Sequence, residues 1–459
     1  MPSRPIGPGP AHADAQAPHG SRPGDAGDAR VRARIDAVWR IESAKIIGAL
    51  ARVVRDVGLA EDLAQEALVA ALEHWPRMAV EGGLPQNPGA WLMATAKNRA
   101  LDWLRQRALH ERKQEELGAD ADARGDHVVP DFTDGLDDAR EDYGDDLLRL
   151  IFAACHPVLP RDAQLALTLR LLGGLTTAEI ARAFVVPEPT IAQRIVRAKR
   201  ALAEAKVPFE VPRGEALATR LSVVLEVVYL VFNEGYSATA GDDWMRPALC
   251  EEALRLGRVL AALAPQEAEV HGLVALMEIQ ASRLRARTDA RGRPILLLDQ
   301  DRGRWDRLLI GRGLAALARA TALRGGEAGE AGPYALQAAI AACHAVARTA
   351  AETDWARIVA LYGRLLERMP SPVVELNRAV AVGMASGPEV ALPFVEALAA
   401  QPQMQRYHLL HAVHGDLLAK LGRGAQARQA FERAAELTAN ERERALLMER
   451  ARAAASAPR

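Results

Sequence analysis

Residues 175–202 read as two short helices joined by a tight turn, and this stretch constrains the chain more than any other. Thr176 followed by Glu179 is a capping-box signature, so the spacing predicts a helix that starts near Thr177. Pro187 has no N–H to donate and is tolerated only in the first turn of a helix. The first helix must therefore end before Pro187 and a second must begin there. The pattern predicts a helix-turn-helix.

The second of these helices is amphipathic. Apolar residues recur at three- and four-residue spacing and form a stripe that should be buried: Ile191, Ile195, Ala198 and Leu202. The other side is polar and basic, with Thr190, Gln193, Arg194, Arg197 and Arg200. Arg neutralises phosphates, and Gln, Thr and Arg also read base edges in the major groove. This side is a candidate surface for reading DNA, and the alternative is a surface helix whose basic side is only solvated.

The whole-chain composition is that of a soluble globular protein. A length of 459 residues predicts more than one domain, and a hydrophobic content of 49% allows sizeable cores. The net charge of -1 combines cationic helices with acidic connecting sequence. Cys155, Cys250 and Cys343 are far apart and form no CxxC pair, which argues against a disulfide framework or a zinc knuckle. We therefore expect a cytoplasmic protein.

The chain shows no signal for a membrane. Residues 1–30 are rich in Pro, Gly, Ala and charge, contain no apolar core of a signal peptide, and are interpreted as a disordered tail. The longest apolar run, from Leu221 to Phe232, is interrupted by Glu226 and is shorter than the about 20 residues that span a bilayer. We expect no membrane partner.

Residues 31–110 are helical in pattern and carry two polar surfaces. Asp62, Gln65 and Glu66 point away from the apolar residues of their helix, a surface suited to a basic partner or merely solvated. A later helix has an outer face suited to nucleic acid, formed by Thr95, Asn98, Arg99, Asp102, Arg105 and Gln106. Residues Leu84 to Gly89 precede it as a predicted loop because they contain two prolines. In this loop Asn87 could hold an unpaired base.

These pieces, in this order, resemble the bacterial sigma-70 family and its extracytoplasmic-function (ECF) group. The resemblance rests on DLAQEAL at residues 62–68, PGAWLMATAKNRALDWLRQR at residues 88–107 and the helix-turn-helix. It implies that residues 31–110 are sigma region 2, which binds the clamp of core RNA polymerase and opens the promoter's -10 element. It also implies that residues 147–206 are region 4, which reads the -35 element and contacts the polymerase flap.

Between these two domains, residues 111–146 are interpreted as a flexible acidic linker. From Glu115 to Asp146 it holds 13 acidic residues against Arg124 and Arg140, and blocks of like charge repel and stay extended. A solvated tether is the favoured interpretation. The sigma resemblance implies in addition that the linker runs through the RNA exit channel of the polymerase.

Residues 207–459 are Ala- and Leu-rich, broken by short Gly and Pro turns, and predict an α-helical domain. A helical pair from His408 to about Glu441 matches the tetratricopeptide (TPR) template of about 34 residues, with Gly415, Ala427, Phe431 and Ala434 at its small and aromatic positions. A weaker copy starts near Pro372, with Ala379, Ala391 and Leu398 in register. Such repeats commonly bind a peptide or protein partner. A helical bundle without a partner is the alternative.

The segments at residues 227–244 and 294–307 resemble the extension of those ECF sigma factors that carry a TPR-like C-terminal domain. In that subgroup the resemblance implies that the extension replaces a separate anti-sigma factor as the regulator. Conspicuous polar and aromatic residues of these segments are Asn233, Glu234, Tyr236, Asp299, Asp301, Arg302 and Trp305. We interpret them as helix caps and buried hydrogen-bond partners.

No catalytic residue, metal ligand or cofactor is predicted. His408, His411 and His414 share one helix face, but neither they nor the Cys155-His156 and Cys343-His344 pairs have the context of a zinc site or a nucleophile. The sequence thus predicts an all-α sigma factor with two small helical domains and a TPR-like regulatory extension. The alternatives are a stand-alone helix-turn-helix regulator with a protein-interaction repeat domain, and a TPR adaptor with a vestigial sigma half.

Overall fold

The computed structural model describes residues 23–81, 83–118, 143–184, 186–238, 240–241, 243–326 and 330–456. Helices make up most of these residues, which confirms the predicted all-α class. Within the described ranges, no helix is both long and apolar enough to cross a bilayer.

The N-terminal unit consists of three long helices, α1 (Pro23–Val54), α2 (Val57–Glu81) and α3 (Pro88–Gly118). Their common core includes Leu50 and Trp75, both with no exposed surface. The prediction of a tail over residues 1–30 is wrong for its last eight residues, because α1 already starts at Pro23, a residue suited to the first turn of a helix. Residues 1–22 lie outside the described part.

The connections around α3 differ from the predicted ones. The predicted loop from Leu84 to Gly89 is two residues too long, because Pro88 and Gly89 form the first turn of α3. The predicted linker over residues 111–146 is shortened at both ends, since α3 continues to Gly118 and the next helix starts at Tyr143. Residues 119–142, which hold most of the acidic sequence, lie outside the described part.

The helix-turn-helix unit consists of α4 (Tyr143–Ala154), α5 (Arg161–Leu171), α6 (Thr177–Phe184) and α7 (Glu188–Glu204). The capping box is formed: the hydroxyl of Thr176 accepts the N–H of Glu179 at 3.1 Å, and the Glu179 carboxylate accepts the N–H of Thr176 at 2.8 Å. The predicted apolar stripe of α7 is fully buried. The structure therefore confirms the helix-turn-helix.

The C-terminal extension continues as a series of packed helices. They are α8 (Glu215–Tyr236), α9 (Pro247–Leu263), α10 (Ala268–Ala281), α11 (Arg307–Leu323), α12 (Pro333–Val346), α13 (Trp355–Arg368), α14 (Pro372–Ser386), α15 (Pro388–Ala399), α16 (His408–Lys420), α17 (Gly424–Leu437) and α18 (Glu441–Ser456). Short 3-10 turns lie at Leu284–Ala286, Leu297–Asp299, Arg302–Arg304 and Pro402–Met404. A parallel pair of two-residue strands, β1 (Ala240–Gly241) and β2 (Ala439–Asn440), completes the described elements.

The two predicted repeats are helix pairs, α14 with α15 and α16 with α17. Their close approach depends on a small residue. A Cβ atom at Gly415 would lie 2.9 Å from the ring of Phe431, which is less than real Cβ contacts allow. Ala427 and Ala434, at the other small positions of the template, are fully buried. The sequence pattern therefore placed this interface correctly.

The extension packs directly against the helix-turn-helix unit. One hydrophobic cluster runs from the N-terminal helices through α4 to α7 and into α8, α9 and α10. Polar contacts support it: Arg220 donates to the carbonyl of Phe152 at 2.6 Å, and Arg161 pairs with Glu226 at 2.5 Å. Helices α8, α9 and α10 thus share a core with the domain before them, whereas the later helices form clusters of their own.

The end of the extension returns to its beginning. Asn440, at the start of α18, is 1% exposed, and its amide nitrogen donates to the carbonyls of Ala238 at 3.1 Å and Asp243 at 2.9 Å. Its amide oxygen accepts the N–H groups of Arg442 and Glu443, both at 3.1 Å, and so caps α18. One side chain therefore joins the last helix to the loop that follows α8.

Candidate nucleic-acid interface

The outer side of α7 is the best candidate for DNA contact. Thr190, Gln193, Arg197 and Arg200 are all exposed. Arg197 has no ion pair with the described residues, whereas Arg200 pairs with Glu204 at 2.6 Å within the helix. The fifth predicted residue, Arg194, is half-buried and turns back towards α5, where it pairs with Asp162 at 3.2 Å. The accessible cation at the centre of this surface is therefore Arg197.

A second polar surface lies along α3. Asn98, Arg99, Asp102, Arg105 and Gln106 are exposed, as the sequence predicts for an outer face. Two of its cations are engaged by neighbouring acids: Arg99 lies 3.5 Å from Glu66 on α2, and Arg105 lies 3.3 Å from Asp102. At these exposures such pairs are weak, so both cations can exchange partners.

Two further predicted residues take part in the structure of α3 itself. The hydroxyl of Thr95 is half-buried and donates to the carbonyl of Trp91 at 2.9 Å. The side chain of Asn87 accepts the N–H of Ala90 at 3.1 Å and is the N-cap of α3. This cap was not predicted from the sequence, although Asn followed by Pro is typical of the start of a helix. Contact of Asn87 with a base would compete with this cap.

The predicted polymerase surface on α2 meets α7 in this structure. Asp62 and Glu66 are exposed, and Gln65 is half-buried and hydrogen-bonded to Glu61. Asp62 lies 2.9 Å from the ammonium group of Lys199 on α7. The side of α2 that the sequence assigns to a partner protein is thus covered in part by the helix assigned to DNA.

Glu61 is the residue that sequence reasoning missed. Its carboxylate is 3% exposed and lies 2.7 Å from Arg170 Nε of α5 and 2.5 Å from Lys199 Nζ of α7. Burial opposes the charge on Lys199, but Glu61 and Asp62 outweigh it and raise the pKa of Lys199. A buried carboxylate that bridges two units can be recognised only once their packing is known.

A further ion pair joins the two units at an exposed position. Arg40 of α1 lies 2.5 Å from Glu179, the residue that also caps α6. Its exposure, 54% for the Arg40 side chain, limits its contribution to about 1 kcal/mol or less. The buried contact of Glu61 is therefore the stronger electrostatic link between α2 and the helix-turn-helix unit.

The conspicuous residues of the extension serve its own structure. Asp301 accepts the N–H of Gly303 at 2.8 Å, and Glu234 pairs with Arg246. Arg302 is buried and donates to the carbonyls of His344 at 2.5 Å and Ala347 at 2.8 Å. The interpretation of these residues as caps and hydrogen-bond partners is confirmed for Glu234, Asp301 and Arg302.

The histidines of α16 contact three different groups. His408 lies 3.0 Å from Glu443, and His411 lies 2.9 Å from the carbonyl of Gln405. His414 lies 3.9 Å from Glu396. Over the described ranges, no three His, Cys, Asp or Glu side chains converge as metal ligands would.

Burial raises the pKa of the Cys155 thiol to about 11, which makes it a poor nucleophile.

Three family models match the chain. Residues 41–109 match sigma-70 region 2, residues 149–202 match sigma-70 region 4, and residues 220–321 match a family of unknown function, DUF6596. The first match covers the second part of α1, all of α2 and most of α3, and the second covers most of the helix-turn-helix unit. The third covers most of α8 to α11 and includes α8 and α9, the two helices that pack against that unit.

Several proteins are similar to parts or most of the chain. The RNA polymerase sigma-H factor of Pseudomonas aeruginosa is 30% identical over 165 residues, which cover 36% of this chain and 81% of that protein. The ECF RNA polymerase sigma factor SigK of Mycobacterium ulcerans is 28% identical over 158 residues, 34% of this chain and 78% of that one. An uncharacterized protein of Rhizobium meliloti is 45% identical over 402 residues, 87% of this chain and 91% of that one.

No solved structure matches the chain. Two lines of observation nevertheless agree on the family. The chain contains both sigma-70 domains in their order, with the helix-turn-helix formed in the second. It also covers most of the length of named sigma factors. The chain therefore belongs to the sigma-70 family of RNA polymerase sigma factors, in its ECF group.

Proposed function

We propose that this sigma factor directs core RNA polymerase to its promoters by reading the -35 element with α7 and the -10 element with α3. Arg197 carries the proposal, because it is exposed at the centre of the polar side of α7 and has no ion pair with the described residues, and Gln193 lies beside it. Arg and Gln are residues that make bidentate contacts with bases in the major groove. Such a protein works in the cytoplasm, where the polymerase is.

The polymerase contact requires a change of arrangement. We assign Asp62, Gln65 and Glu66 to the polymerase clamp and the helix-turn-helix unit to the flap. In the present arrangement Asp62 pairs with Lys199, and Glu61 is buried beside it. The clamp and α7 would compete for the same carboxylates. Binding of core polymerase therefore separates α2 from α7, which frees α7 to reach the -35 element.

Purified chain and core polymerase should initiate transcription from the promoter upstream of the chain's own gene. Asp62→Lys with Glu66→Lys should abolish co-purification with core polymerase, and circular dichroism should show an intact fold. Lys199→Glu is the matched control: it breaks the same ion pair but keeps the acidic surface, so this variant should bind core polymerase at least as tightly as wild type.

The outcomes separate the alternatives. Wild-type affinity of the Asp62 and Glu66 variant would show that this surface is only solvated. Equal loss of binding in Lys199→Glu would show that polymerase recognises the closed arrangement. Specific promoter binding that does not change when core polymerase is added would favour a stand-alone regulator.

We propose further that the extension activates the sigma domains. Packing of α8 and α9 against α4 and α5 supports this role, because region 4 would lose part of its core without them. Deletion from His408 onward removes α16 to α18 and the Asn440 link, and should abolish or strongly reduce transcription in cells. Reporter output and protein level should be measured together for the full chain, this deletion and a chain that ends at Lys206. Higher output from either shortened chain at equal abundance would show that the extension inhibits.

A further inference from the structure

A cavity of about 710 Å³ lies at the junction of the two sigma domains. The end of α1, the middle of α4 and the last turns of α7 surround it, and residues 207–210 cover one side. Its volume is in the range of about 300–1,000 Å³ that is usual for sites of small molecules. The polymerase and promoter surfaces described above do not use it.

Positive charge dominates this cavity. Five cations line it, Arg52, Arg55, Arg149, Lys199 and Lys206, against two carboxylates, Asp56 and Glu210. Carboxylates outside the cavity contact three of the cations: Asp146 pairs with Arg52 and Arg149, and Glu61 pairs with Lys199. Arg55 and Lys206 are exposed and have no ion pair with the described residues. These two cations leave the cavity with a charge that an anion would neutralise.

The backbone of these same two residues is strained. Arg55 has φ 55° and Lys206 has φ 47°, and no other non-glycine residue of the described ranges has positive φ. Each follows the end of a helix, where glycine is favoured because it has no Cβ to clash. Strained residues of this kind cluster at functional sites. The chain thus keeps a basic side chain at the two positions where glycine would be more stable, and both positions line this cavity.

The remaining wall is apolar. Val57, Leu202, Val207, Pro208 and Phe209 form it, and the ring of Phe209 is half-buried. A cationic wall suits phosphates, since Arg and Lys bind them through charge-assisted hydrogen bonds. An aromatic ring suits a nucleobase, which stacks on such rings. A nucleotide has both parts.

We propose that this cavity binds a nucleoside triphosphate, with its phosphates at Arg55 and Lys206 and its base at Phe209. Arg55 belongs to region 2 and Lys206 ends region 4, so the bound phosphates join the two domains. The ligand therefore stabilises the arrangement in which α7 covers Asp62. The proposal does not depend on which promoter elements α3 and α7 read.

Binding is measured by titration calorimetry on the full-length chain with ATP, GTP, sodium tripolyphosphate and adenosine. A nucleoside triphosphate should bind most tightly, tripolyphosphate more weakly and adenosine weakest. Arg55→Gly and Lys206→Gly should each weaken triphosphate binding by about 10-fold or more. Their melting temperatures should be unchanged or higher, because glycine relieves the strain. Arg348→Gly, an exposed arginine of the extension outside the cavity, is the matched control and should bind as wild type.

Phe209→Leu distinguishes the contribution of the base from that of the phosphates. It should weaken the binding of ATP or GTP and leave the binding of tripolyphosphate unchanged. The proposal is overturned if neither triphosphate shows saturable binding, or if the two glycine variants bind as tightly as wild type. It is also overturned if Phe209→Leu has no effect. Binding of a single-stranded oligonucleotide without binding of ATP or GTP would overturn it in favour of a nucleic-acid surface.

Discussion

Replacement of Glu61 by Gln tests the contact between the two sigma domains most directly. The change keeps the volume of the side chain and removes its charge. Removal of one partner from a fully buried ion pair costs about 3–5 kcal/mol, because the other charge stays buried. Here Arg170 and Lys199 are 21% and 18% exposed, and each keeps another acceptor, the Leu175 carbonyl and Asp62. We therefore expect a loss of about 2 kcal/mol.

A double-mutant cycle assigns this loss to the pair. Urea unfolding of Glu61→Gln, Lys199→Met and the double variant should give a coupling energy of about 1–2 kcal/mol. Helices α8 to α10 share a core with both sigma domains, so urea unfolding does not report on the α2–α7 contact alone and a second measurement is needed. Spin labels at Ala94→Cys on α3 and Val196→Cys on α7 report the distance between the domains. Both sites are exposed, whereas the three native cysteines are buried.

The wild-type chain should show one narrow distance distribution, and Glu61→Gln should add a longer component. Lys199→Met should add the same component. An unchanged distribution in both variants, together with a coupling below about 0.5 kcal/mol, would refute the reasoning. The contact of α2 with α7 would then rest on apolar packing alone.

Three further predictions follow from single side chains. Arg197→Ala should weaken promoter binding by about 1–3 kcal/mol and reduce its sequence specificity if Arg197 reads a base. If Arg197 contacts a phosphate, the variant should instead bind all DNA sequences more weakly and show a smaller salt dependence. A salt titration distinguishes the two cases. Burial lowers the pKa of His344 to about 4. Between pH 6.5 and 4 the unfolded chain therefore binds a proton at this histidine that the folded chain does not bind. The free energy of unfolding should fall as the pH drops through this range. His344→Gln should flatten that part of the pH profile. Gly415→Ala should destabilise the chain by about 1–3 kcal/mol through overlap with Phe431, whereas Gly311→Ala, which meets no atom within 4 Å, should stabilise it slightly.

The sequence predicted the features that depend on neighbours along the chain. The capping box of Thr176 and Glu179 joins residues three apart, and the buried stripe of α7 follows from helical spacing alone. The interface of Gly415 with Phe431 also lies within one helical pair, so a repeat template could locate it. In each case the relevant geometry is set by local backbone structure.

The features that the sequence did not predict depend on tertiary packing. Glu61 is separated from Arg170 and Lys199 by at least 109 residues of sequence, and no spacing rule connects residues so far apart. The ion pair of Arg194 with Asp162 likewise depends on how α7 packs against α5. The start of α1 at Pro23 was missed for a different reason, since its Pro- and Gly-rich composition resembles that of a tail.

The Asn440 link has a consequence for how the protein is made. The side chain reaches Ala238 across 202 residues of sequence, so this contact closes a long loop of the extension and forms only after Asn440 has been synthesised. Both sigma-70 domains emerge from the ribosome long before that point. A message that ends early therefore yields a sigma factor with its DNA-binding helices but without its closing link. We expect the loop after α8 to be more open to proteases in such a shortened chain than in one that contains Asn440.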